Sequence, residues 1–477
     1  MFTAITYQDW EATPEYERRE LLCKVIDLYK GSEDFQRALT ANQYFVGENP
    51  AVMNKMILQR GLAEVLQSDG STRPVAQPKP IKGAQVPSNF LFRFVTQQNQ
   101  FLLSNGVTLD DEETKSQLGY GFDKALEGMG EKALLHGVCW GFWNVDHVEI
   151  IQAARDALSG FVALVDEETS APRVGVQFWQ IAVDRPLHIR LFEVDGVTVY
   201  RKDKDDLVEI RAKQPYVLKM VADAAGEMLV GASNYAALPV LPLYANAEQR
   251  SELTESIKAK IDAYDRITSD FVDNFDRAND VYWVLNNFGG TLSDMVDTIN
   301  TINELKLIAN QSDGMGSSST ASPYTIEVPH EARKSALQLL EKALYQDYMA
   351  LSMDEMTGGS LTNVAIQAAM TNLNLKTDRY EWQVFAFVQK LLDLLGIKTE
   401  EITFKRQEFV NKSEIVEDIQ VMRQDIDDET ALKLNPYINQ EEIDAILANR
   451  DAKVLTGLSG TKAANNARGA DDGQGDS

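Results

Sequence analysis

A helical pattern from Leu361 to Leu395, ended by Gly396, constrains the fold of this chain more than any other feature. The apolar residues of the pattern recur mostly at helical steps: Leu361, Val364, Ala365, Ala368, Tyr380, Val384, Phe387, Val388, Leu391, Leu392 and Leu395. A helix of roughly 35 residues spans about 52 Å, whereas the mean globular helix has about 11–12 residues. Such a helix cannot fold back into one small core, so we expect it to contact another domain or another subunit.

Two further helices are predicted in the second half of the chain. Steps of three and four from Arg250 to Ala278 predict one amphipathic helix of roughly 43 Å. Pro329 opens another helix, to about Ala350, at a first-turn position where its missing N–H costs little. Between the two lies a compact insert, with a strand at Val281–Leu285, a helix from Leu292 to about Ala309 and a Gly/Ser-rich loop at Ser312–Ser322.

The first half of the chain mixes helices and strands. Residues 14–46 predict two helices with a break near Gly31, and a further helix is predicted from Ser88 to about Ser104. The proline-rich residues 71–88 predict a surface loop. Alternating apolar residues from Val138 to about Met220 predict strands, with a two-residue hairpin turn at Asp195-Gly196. The fold class predicted for the whole chain is therefore α+β.

Charge and hydropathy exclude several classes of protein. The 477 residues include 72 acidic and 46 basic ones, which gives a net charge of −26. A compact basic DNA binder held by phosphate contacts is therefore not expected. No run of about 18 apolar residues occurs and the start lacks a secretory signal pattern, so we expect neither a membrane span nor secretion.

No pattern of catalytic or metal-binding residues is found. Cys23 and Cys139 lie far apart, and the four histidines form no metal-binding spacing. Gly457–Lys462 has the wrong spacing for a phosphate-binding loop. The acidic run Asp110–Glu113 has no Gly-turn ligand loop and is interpreted as a solvated linker. We therefore expect no enzyme, no cofactor and no metal site.

The second half of the chain resembles the portal protein, or head-to-tail connector, of bacteriophages with long non-contractile tails. Ile261-Asp262-Ala263-Tyr264-Asp265, followed by Ser269-Asp270-Phe271-Val272-Asp273-Asn274-Phe275, is similar to the first stem helix of that family. Asp428-Glu429-Thr430-Ala431-Leu432 is similar to its helical crown. Thr362-Asn363 stands where the family usually has a Ser-Gly pair, and Asn tolerates the same left-handed turn.

The resemblance implies a ring-forming portal fold with several parts. These are a wing domain at 1–240 and 380–410, stem helices at 241–279 and 329–350, a clip at 280–328, a tunnel loop at 351–360, a long helix behind that loop at 361–395 and a crown at 411–456. The composition of the tail at 457–477, rich in Gly, Asn and Asp, predicts that it is disordered. The candidate tunnel-loop residues, which we expect to project into a DNA channel, are Met353, Asp354, Glu355, Met356, Thr357, Gly358, Gly359 and Ser360.

The resemblance also implies a function and a set of partners. The chain would form a ring of about twelve copies at one capsid vertex, closed by head-to-tail contacts. Double-stranded DNA would pass through it non-specifically during packaging and ejection. The other implied partners are the terminase motor, the major capsid protein, the scaffold and a head–tail adaptor, with assembly in the host cytoplasm and a final place in the virion.

Two alternatives remain open from the sequence. One is a ring-forming or filamentous assembly protein with no role in DNA passage, because it too would have long helices and no catalytic residues. The other is an enzyme, metal-dependent or not, with a composite site of carboxylates on the strand-rich half. The width of a central channel distinguishes the first alternative, and the effect of divalent ions on melting temperature distinguishes the second.

Overall fold

The structure is a computed structural model. It describes residues 4–66, 72–203, 206–223, 226–278, 282–286, 320–324, 330–352, 362–407, 412–423 and 426–438, together with 443, 446 and 447. The chain divides into two compact units, one comprising residues 1–350 and 373–407 and the other residues 351–372 and 408–477. All the described strands belong to the first unit. The mixture of helices and antiparallel strands agrees with the predicted α+β class.

The described helices range in length from about one turn to about nine turns. They are α1 (Tyr7–Ala12), α2 (Arg18–Lys30), α3 (Glu33–Phe45), α4 (Pro50–Met53), α5 (Phe90–Leu103), α6 (Glu112–Ser116), α7 (Phe122–His136), α8 (Glu255–Ala278), α9 (His330–Tyr348), α10 (Asn363–Leu395), α11 (Lys412–Met422) and α12 (Asp428–Leu434).

The described strands are β1 (Met56–Leu66), β2 (Thr72–Lys82), β3 (Val107–Leu109), β4 (Val138–Asn144), β5 (His147–Gln152), β6 (Ala154–Asp156), β7 (Ser159–Val165), β8 (Pro172–Trp179), β9 (Leu187–Glu193), β10 (Gly196–Asp203), β11 (Asp206–Gln214), β12 (Val217–Asp223), β13 (Gly226–Ser233), β14 (Val240–Tyr244), β15 (Tyr282–Asn286), β16 (Thr320–Tyr324) and β17 (Ile402–Phe404). They form a six-stranded sheet in the order β11-β10-β9-β8-β7-β6, a three-stranded sheet in the order β14-β4-β5, and the pairs β1-β2, β12-β13, β15-β16 and β17-β3.

The six-stranded sheet is buried on both faces in its middle strands. On β7, Val162 and Leu164 join the apolar core that includes α1, α2 and α3, whereas Phe161 and Ala163 join a second core that includes β4. This division follows from the strand itself, because successive side chains of a strand point to opposite faces. The six-stranded sheet therefore lies between a layer of helices and the three-stranded sheet.

Strand β4 repeats this alternation one layer further on. Trp140 and Phe142 join the core shared with the six-stranded sheet, while Cys139 and Trp143 join the core that contains α5, α7 and α10. A methyl group at Gly130 of α7 would collide with the Tyr380 hydroxyl of α10 and the amide oxygen of Asn99. The close approach of α7 to α10 thus explains a glycine in a helix interior, where it costs about 1 kcal/mol relative to alanine.

The predicted long helices are present, with bounds that differ by a few residues. The helix expected from Arg250 begins at Glu255, because Thr254 caps it by accepting the backbone N–H of Ile257 at 3.3 Å. The helix expected from Leu361 begins at Asn363 and also ends at Leu395. The helices predicted within residues 14–46 and 88–104 are confirmed as α2, α3 and α5.

The predicted hairpin is confirmed, but its turn lies one residue earlier. Gly196 pairs with Glu193, so Val194 and Asp195 form the two-residue turn. Of these residues only Gly196 has a positive φ, of 149°. A side chain at Gly196 would overlap the carbonyl oxygen of Gln214 in β11, so close approach of a third strand is the reason for this glycine.

The predicted surface loop at residues 71–88 is partly wrong, because residues 72–82 form β2. Pro74, Pro78 and Pro80 lie at even-numbered positions, opposite Glu64, Arg60 and Leu58 of β1. Proline is tolerated in an edge strand where its nitrogen faces away from the partner. Because all three prolines are at even-numbered positions, their nitrogens all face away from β1, and the strand can form. The number of prolines alone suggests a loop.

Parts of the other sequence predictions lie outside the described residues. The strand expected at Val281–Leu285 is found at Tyr282–Asn286 and pairs with β16. The loop expected at Ser312–Ser322 is wrong at its end, where β16 begins at Thr320. Residues 292–309, the tail at 457–477 and most of 439–456 are outside the described part of the chain.

The second unit contains the start of α10. The Thr362 hydroxyl accepts the backbone N–H of Ala365 at 3.3 Å, and Asn363 is the first helical residue, with its N–H donated to Glu414 of α11. The left-handed turn considered for Asn363 is therefore not formed, because among the described non-glycine residues only Val145, Ser170, Gln249 and Met349 have positive φ.

Candidate functional site

Helices α8 and α9 form an antiparallel pair. At one end Lys260 of α8 forms an ion pair with Asp347 near the end of α9. At the other end the Phe271 ring meets the His330 ring edge to face, with centroids 5.7 Å apart. The hydrogen bond from Lys260 lowers the pKa of Asp347. The two helices are thus connected at both ends by polar or aromatic contacts.

One face of α8 binds the extended segment between β2 and α5 through a ladder of hydrogen bonds. The backbone N–H groups of Ala84, Val86 and Ser88 donate to Asp273 Oδ1 (2.7 Å), Ser269 Oγ (3.1 Å) and Asp265 Oδ1 (2.9 Å), in that order. The donors recur every second residue of an extended chain and the acceptors every fourth residue of a helix. We call these three hydrogen bonds the α8 ladder.

The α8 ladder is buried at the end formed by Asp265 and Ser269. Asp265 and Ser269 have no exposed surface, and Asp262 is 7% exposed. Asn49 donates its side-chain N–H to Asp265 and to the carbonyl oxygen of Ser88, the latter at 3.1 Å. Burial raises the pKa of Asp265, although the hydrogen bonds from Ser88 and Asn49 act in the opposite direction.

A second buried carboxylate lies one helical turn away. Asp262 accepts a hydrogen bond from the Tyr44 hydroxyl and lies 3.3 Å from the Lys258 ammonium. Burial and then the Asp262 carboxylate raise the pKa of Tyr44. Helices α3 and α8 are therefore joined by polar contacts within a core that is otherwise apolar.

At the Asp273 end of the α8 ladder, the partly buried Lys55 lies between two carboxylates. The Lys55 ammonium lies 2.6 Å from Asp273 and 2.7 Å from Asp270, and its side chain is 13% exposed. Burial lowers the pKa of Lys55, but the hydrogen bonds and charges of the two carboxylates outweigh it, so the pKa is raised. Lys55 immediately precedes β1, so the start of the β1-β2 ribbon is attached to α8.

The end of α9, next to the predicted tunnel loop, is held by a buried lysine. Tyr348 stacks on Phe94 with centroids 4.5 Å apart and donates its hydroxyl to Gln98 at 3.0 Å. The Lys376 ammonium donates to the Tyr348 carbonyl oxygen at 2.9 Å and lies 2.8 Å from Glu252. Burial lowers the pKa of Lys376, and the Glu252 carboxylate acts against that shift.

The predicted tunnel-loop residues, Met353 to Ser360, lie outside the described part of the chain. The described residues on either side of them are Leu351, which is 3% exposed, and Thr362, which caps α10. The structure therefore shows where the two ends of this segment attach, and the role of Met353–Ser360 stays a prediction.

The α8 ladder was not predicted from the sequence. Asp262, Asp265, Ser269 and Asp273 recur at steps of three and four, so they share one helix face. Charged residues on a helix face are usually solvated, so this spacing alone does not indicate a backbone partner. One feature of the sequence does indicate that this polar stripe is buried. It lies on the same helix as the apolar residues Ile257 and Ile261, next to the face that they bury.

The acidic run Asp110–Glu113 is only partly the solvated linker that the sequence suggested. Asp110 accepts the backbone N–H groups of Glu400 and Glu401, each at 2.7 Å, and these bonds lower its pKa. Asp111 caps α6 by accepting the N–H of Thr114. The first two residues of the run are therefore structural.

Metal-binding clusters and membrane-spanning helices are both absent from the described part of the chain. No group of three or more His, Cys, Asp or Glu side chains is placed there to hold a metal ion. Burial raises the pKa of Cys139 to about 12, so its thiol is not a nucleophile at neutral pH. Among the described helices, none combines the length and apolar character needed to cross a bilayer.

A comparison with models of known protein families shows which family the chain belongs to. The family model described as "Phage portal protein, SPP1 Gp6-like" matches residues 26–454. The chain belongs to this portal family. The match includes α8, α9, α10 and the segment from Met353 to Ser360.

Two curated portal proteins are also similar to the chain. The portal protein of Clostridium phage phiCD119 is 23% identical over 372 residues, which cover 75% of this chain and 78% of the relative. The portal protein of Bacillus phage SPP1 is 26% identical over 221 residues, which cover 43% of this chain and 42% of the relative. The resemblance to portal proteins predicted from the sequence is confirmed.

Proposed function

We propose that this portal-family chain forms a ring at the capsid vertex, through which double-stranded DNA passes during packaging and ejection and to which the tail machinery attaches. The observation that carries the proposal is the antiparallel pair α8-α9, which the α8 ladder and Lys376 fix to the rest of the first unit. Two long helices that lie side by side and are fixed at one end are suited to lining a channel when several copies are arranged in a ring.

The charge of the chain supports passage without tight binding. A wall rich in Lys and Arg gains affinity for DNA by releasing counterions, and this affinity opposes sliding. The net charge of −26 is consistent with a channel that does not retain the duplex. The motor that hydrolyses ATP would then be a separate terminase protein, and the capsid protein, scaffold and adaptor would be the neighbours in the virion.

Single-particle images of the purified protein test the ring. We expect closed rings of about twelve copies with a central hole that admits a duplex, since head-to-tail contacts close into a ring. A protein that is monomeric at micromolar concentration in light scattering would contradict the proposal. Rings with a hole much narrower than a duplex would favour an assembly protein without a DNA role.

A deletion tests the role of the segment between α9 and α10. Removing Met353–Gly359 is expected to leave ring assembly intact and to abolish DNA packaging, because the anchors at Tyr348 and Thr362 remain while the segment proposed to contact DNA is lost. The measurement is DNA protected from nuclease in a packaging assay. Deleting the same number of residues from Ala470 to Asp476 is the control and should keep packaging. Normal packaging without Met353–Gly359 would refute the role.

A further inference from the structure

The β1-β2 ribbon has two edges that differ in their capacity for hydrogen bonding. Within the described strands, β1 and β2 pair only with each other. Each has 11 residues, so the ribbon extends about 36 Å. A two-stranded ribbon by itself is marginally stable in water, so a further partner would stabilise it.

Prolines close the outer edge of β2. In an antiparallel pair, alternate residues direct both backbone groups towards the partner strand or away from it. Pro74, Pro78 and Pro80 share one parity in an uninterrupted register with β1. Because proline has no N–H, these positions are the ones directed away from β1, and the outer edge of β2 lacks three donors.

The outer edge of β1 pairs with none of the described strands. The residues opposite the three prolines, Leu58, Arg60 and Glu64, direct their N–H and C=O groups away from β2, as does Leu62 opposite Ala76. β1 contains no proline. The even-numbered residues from Met56 to Leu66 therefore present N–H and C=O groups at every second position, which is the pattern that an added strand requires.

The α8 ladder fixes the base of the ribbon. Lys55, just before β1, pairs with Asp270 and Asp273, and Ala84, just after β2, donates to Asp273. Gly83 also donates its N–H to the Lys55 carbonyl oxygen at 3.3 Å. The ribbon thus leaves α8 from a fixed base, which reduces the entropy lost when a partner binds.

The charge of the ribbon indicates the partner. Residues 56–82 carry four basic and two acidic side chains, in a chain with 46 basic and 72 acidic ones. A basic segment on an acidic chain is complementary to another copy of the same chain. Nucleic acid would also attract basic groups, but phosphates do not use the alternating donors and acceptors of a strand edge.

We propose that the outer edge of β1 adds to a second copy of this chain and so contributes to the contact between neighbours. The inference rests on the proposed ring, which supplies the neighbouring copy. Part of the contact between neighbouring copies would then consist of backbone hydrogen bonds. The outward N–H and C=O groups of β1 would set the register of these bonds, and the attachment of the ribbon to α8 would set the direction in which the ribbon extends.

Proline substitutions at one paired position test the inference. Leu62→Pro removes a donor from the open edge, whereas Ala76→Pro removes a donor from the edge that already contains prolines. Leu62→Ala controls for the loss of the leucine side chain. We expect Leu62→Pro to lower the association constant between copies about tenfold or more, with Ala76→Pro and Leu62→Ala close to wild type, as measured by light scattering over a dilution series.

The possible results separate the inference from the proposed function. Wild-type rings together with normal assembly of Leu62→Pro would overturn the inference alone. A monomeric wild-type protein would overturn both. If Leu62→Pro assembles normally and Arg60→Ala with Arg73→Ala weakens binding to a short DNA duplex, the ribbon contacts nucleic acid and the inference is wrong. Circular dichroism of each variant checks that it is folded.

Discussion

Replacing Asp265 with alanine is expected to lower the free energy of unfolding by about 2–4 kcal/mol. The substitution leaves the N–H of Ser88 and the side-chain N–H of Asn49 without their acceptor, and Asn49, like Asp265, has no exposed surface. Each buried donor left unsatisfied costs about 1–3 kcal/mol, and removing a buried carboxylate returns part of that cost. Urea unfolding followed by circular dichroism measures the change.

Asp270→Ala is the matched control on the same helix. The Asp270 carboxylate is 59% exposed, and its partner Lys55 keeps Asp273. An exposed ion pair contributes about 0–1 kcal/mol, so we expect a small loss. Asp265→Asn should fall between the two, because an amide oxygen still accepts from Ser88 while the amide nitrogen faces Asn49. An equal loss for Asp265→Ala and Asp270→Ala would show that the α8 ladder does not stabilise the fold.

The buried imidazole of His136 is expected to make the protein less stable as the pH falls. His136 bonds to the amide oxygen of Asn42 through Nε2 at 2.8 Å, and its Nδ1 finds no hydrogen-bond partner among the described residues. Burial lowers the pKa of His136 from 6.5 to about 3. Between those values the unfolded chain binds a proton that the folded chain does not, so this histidine removes about 1.4 kcal/mol of stability per pH unit of acidification.

The difference between wild type and His136→Gln isolates this effect from the carboxylates. Urea unfolding between pH 6 and pH 4 should give a wild-type stability that falls more steeply than that of His136→Gln, by about 1.4 kcal/mol per unit. His147→Gln, at a half-exposed imidazole, controls for the loss of one surface histidine. Parallel curves for wild type and His136→Gln would mean that His136 accepts its proton in the folded state.

The long helices were predictable because their burial pattern is local and periodic. Ile257, Ile261, Val384 and Val388 are buried as their helical spacing predicts. The start of α8 was missed by five residues because the cap, Thr254, is an ordinary polar residue whose role depends on where the preceding chain turns. Periodicity identifies a helix well and its first turn less well.

The ribbon and the α8 ladder were not predicted because both depend on distant parts of the chain. Pro74, Pro78 and Pro80 indicate a loop until their pairing with β1 is known. Asp265 and Asp273 bind residues more than 170 positions away in the sequence. A polar side chain on a helix face gives no local sign of whether water or a peptide backbone is its partner.

The number of contacts in the α8 ladder is limited by the different spacings of a helix and an extended strand. Four residues of helix advance about 6.0 Å, whereas two residues of an extended strand advance about 6.6 Å. The mismatch between donors and acceptors grows by about 0.6 Å with each successive contact. At a fourth contact, the donor would be displaced along the helix by nearly 2 Å relative to its acceptor if the first contact were aligned. Three contacts thus define a single alignment. A residue inserted between Asp265 and Asp273 would rotate the acceptors off this face, whereas one inserted after Asp273 would lengthen the rod and leave the alignment unchanged.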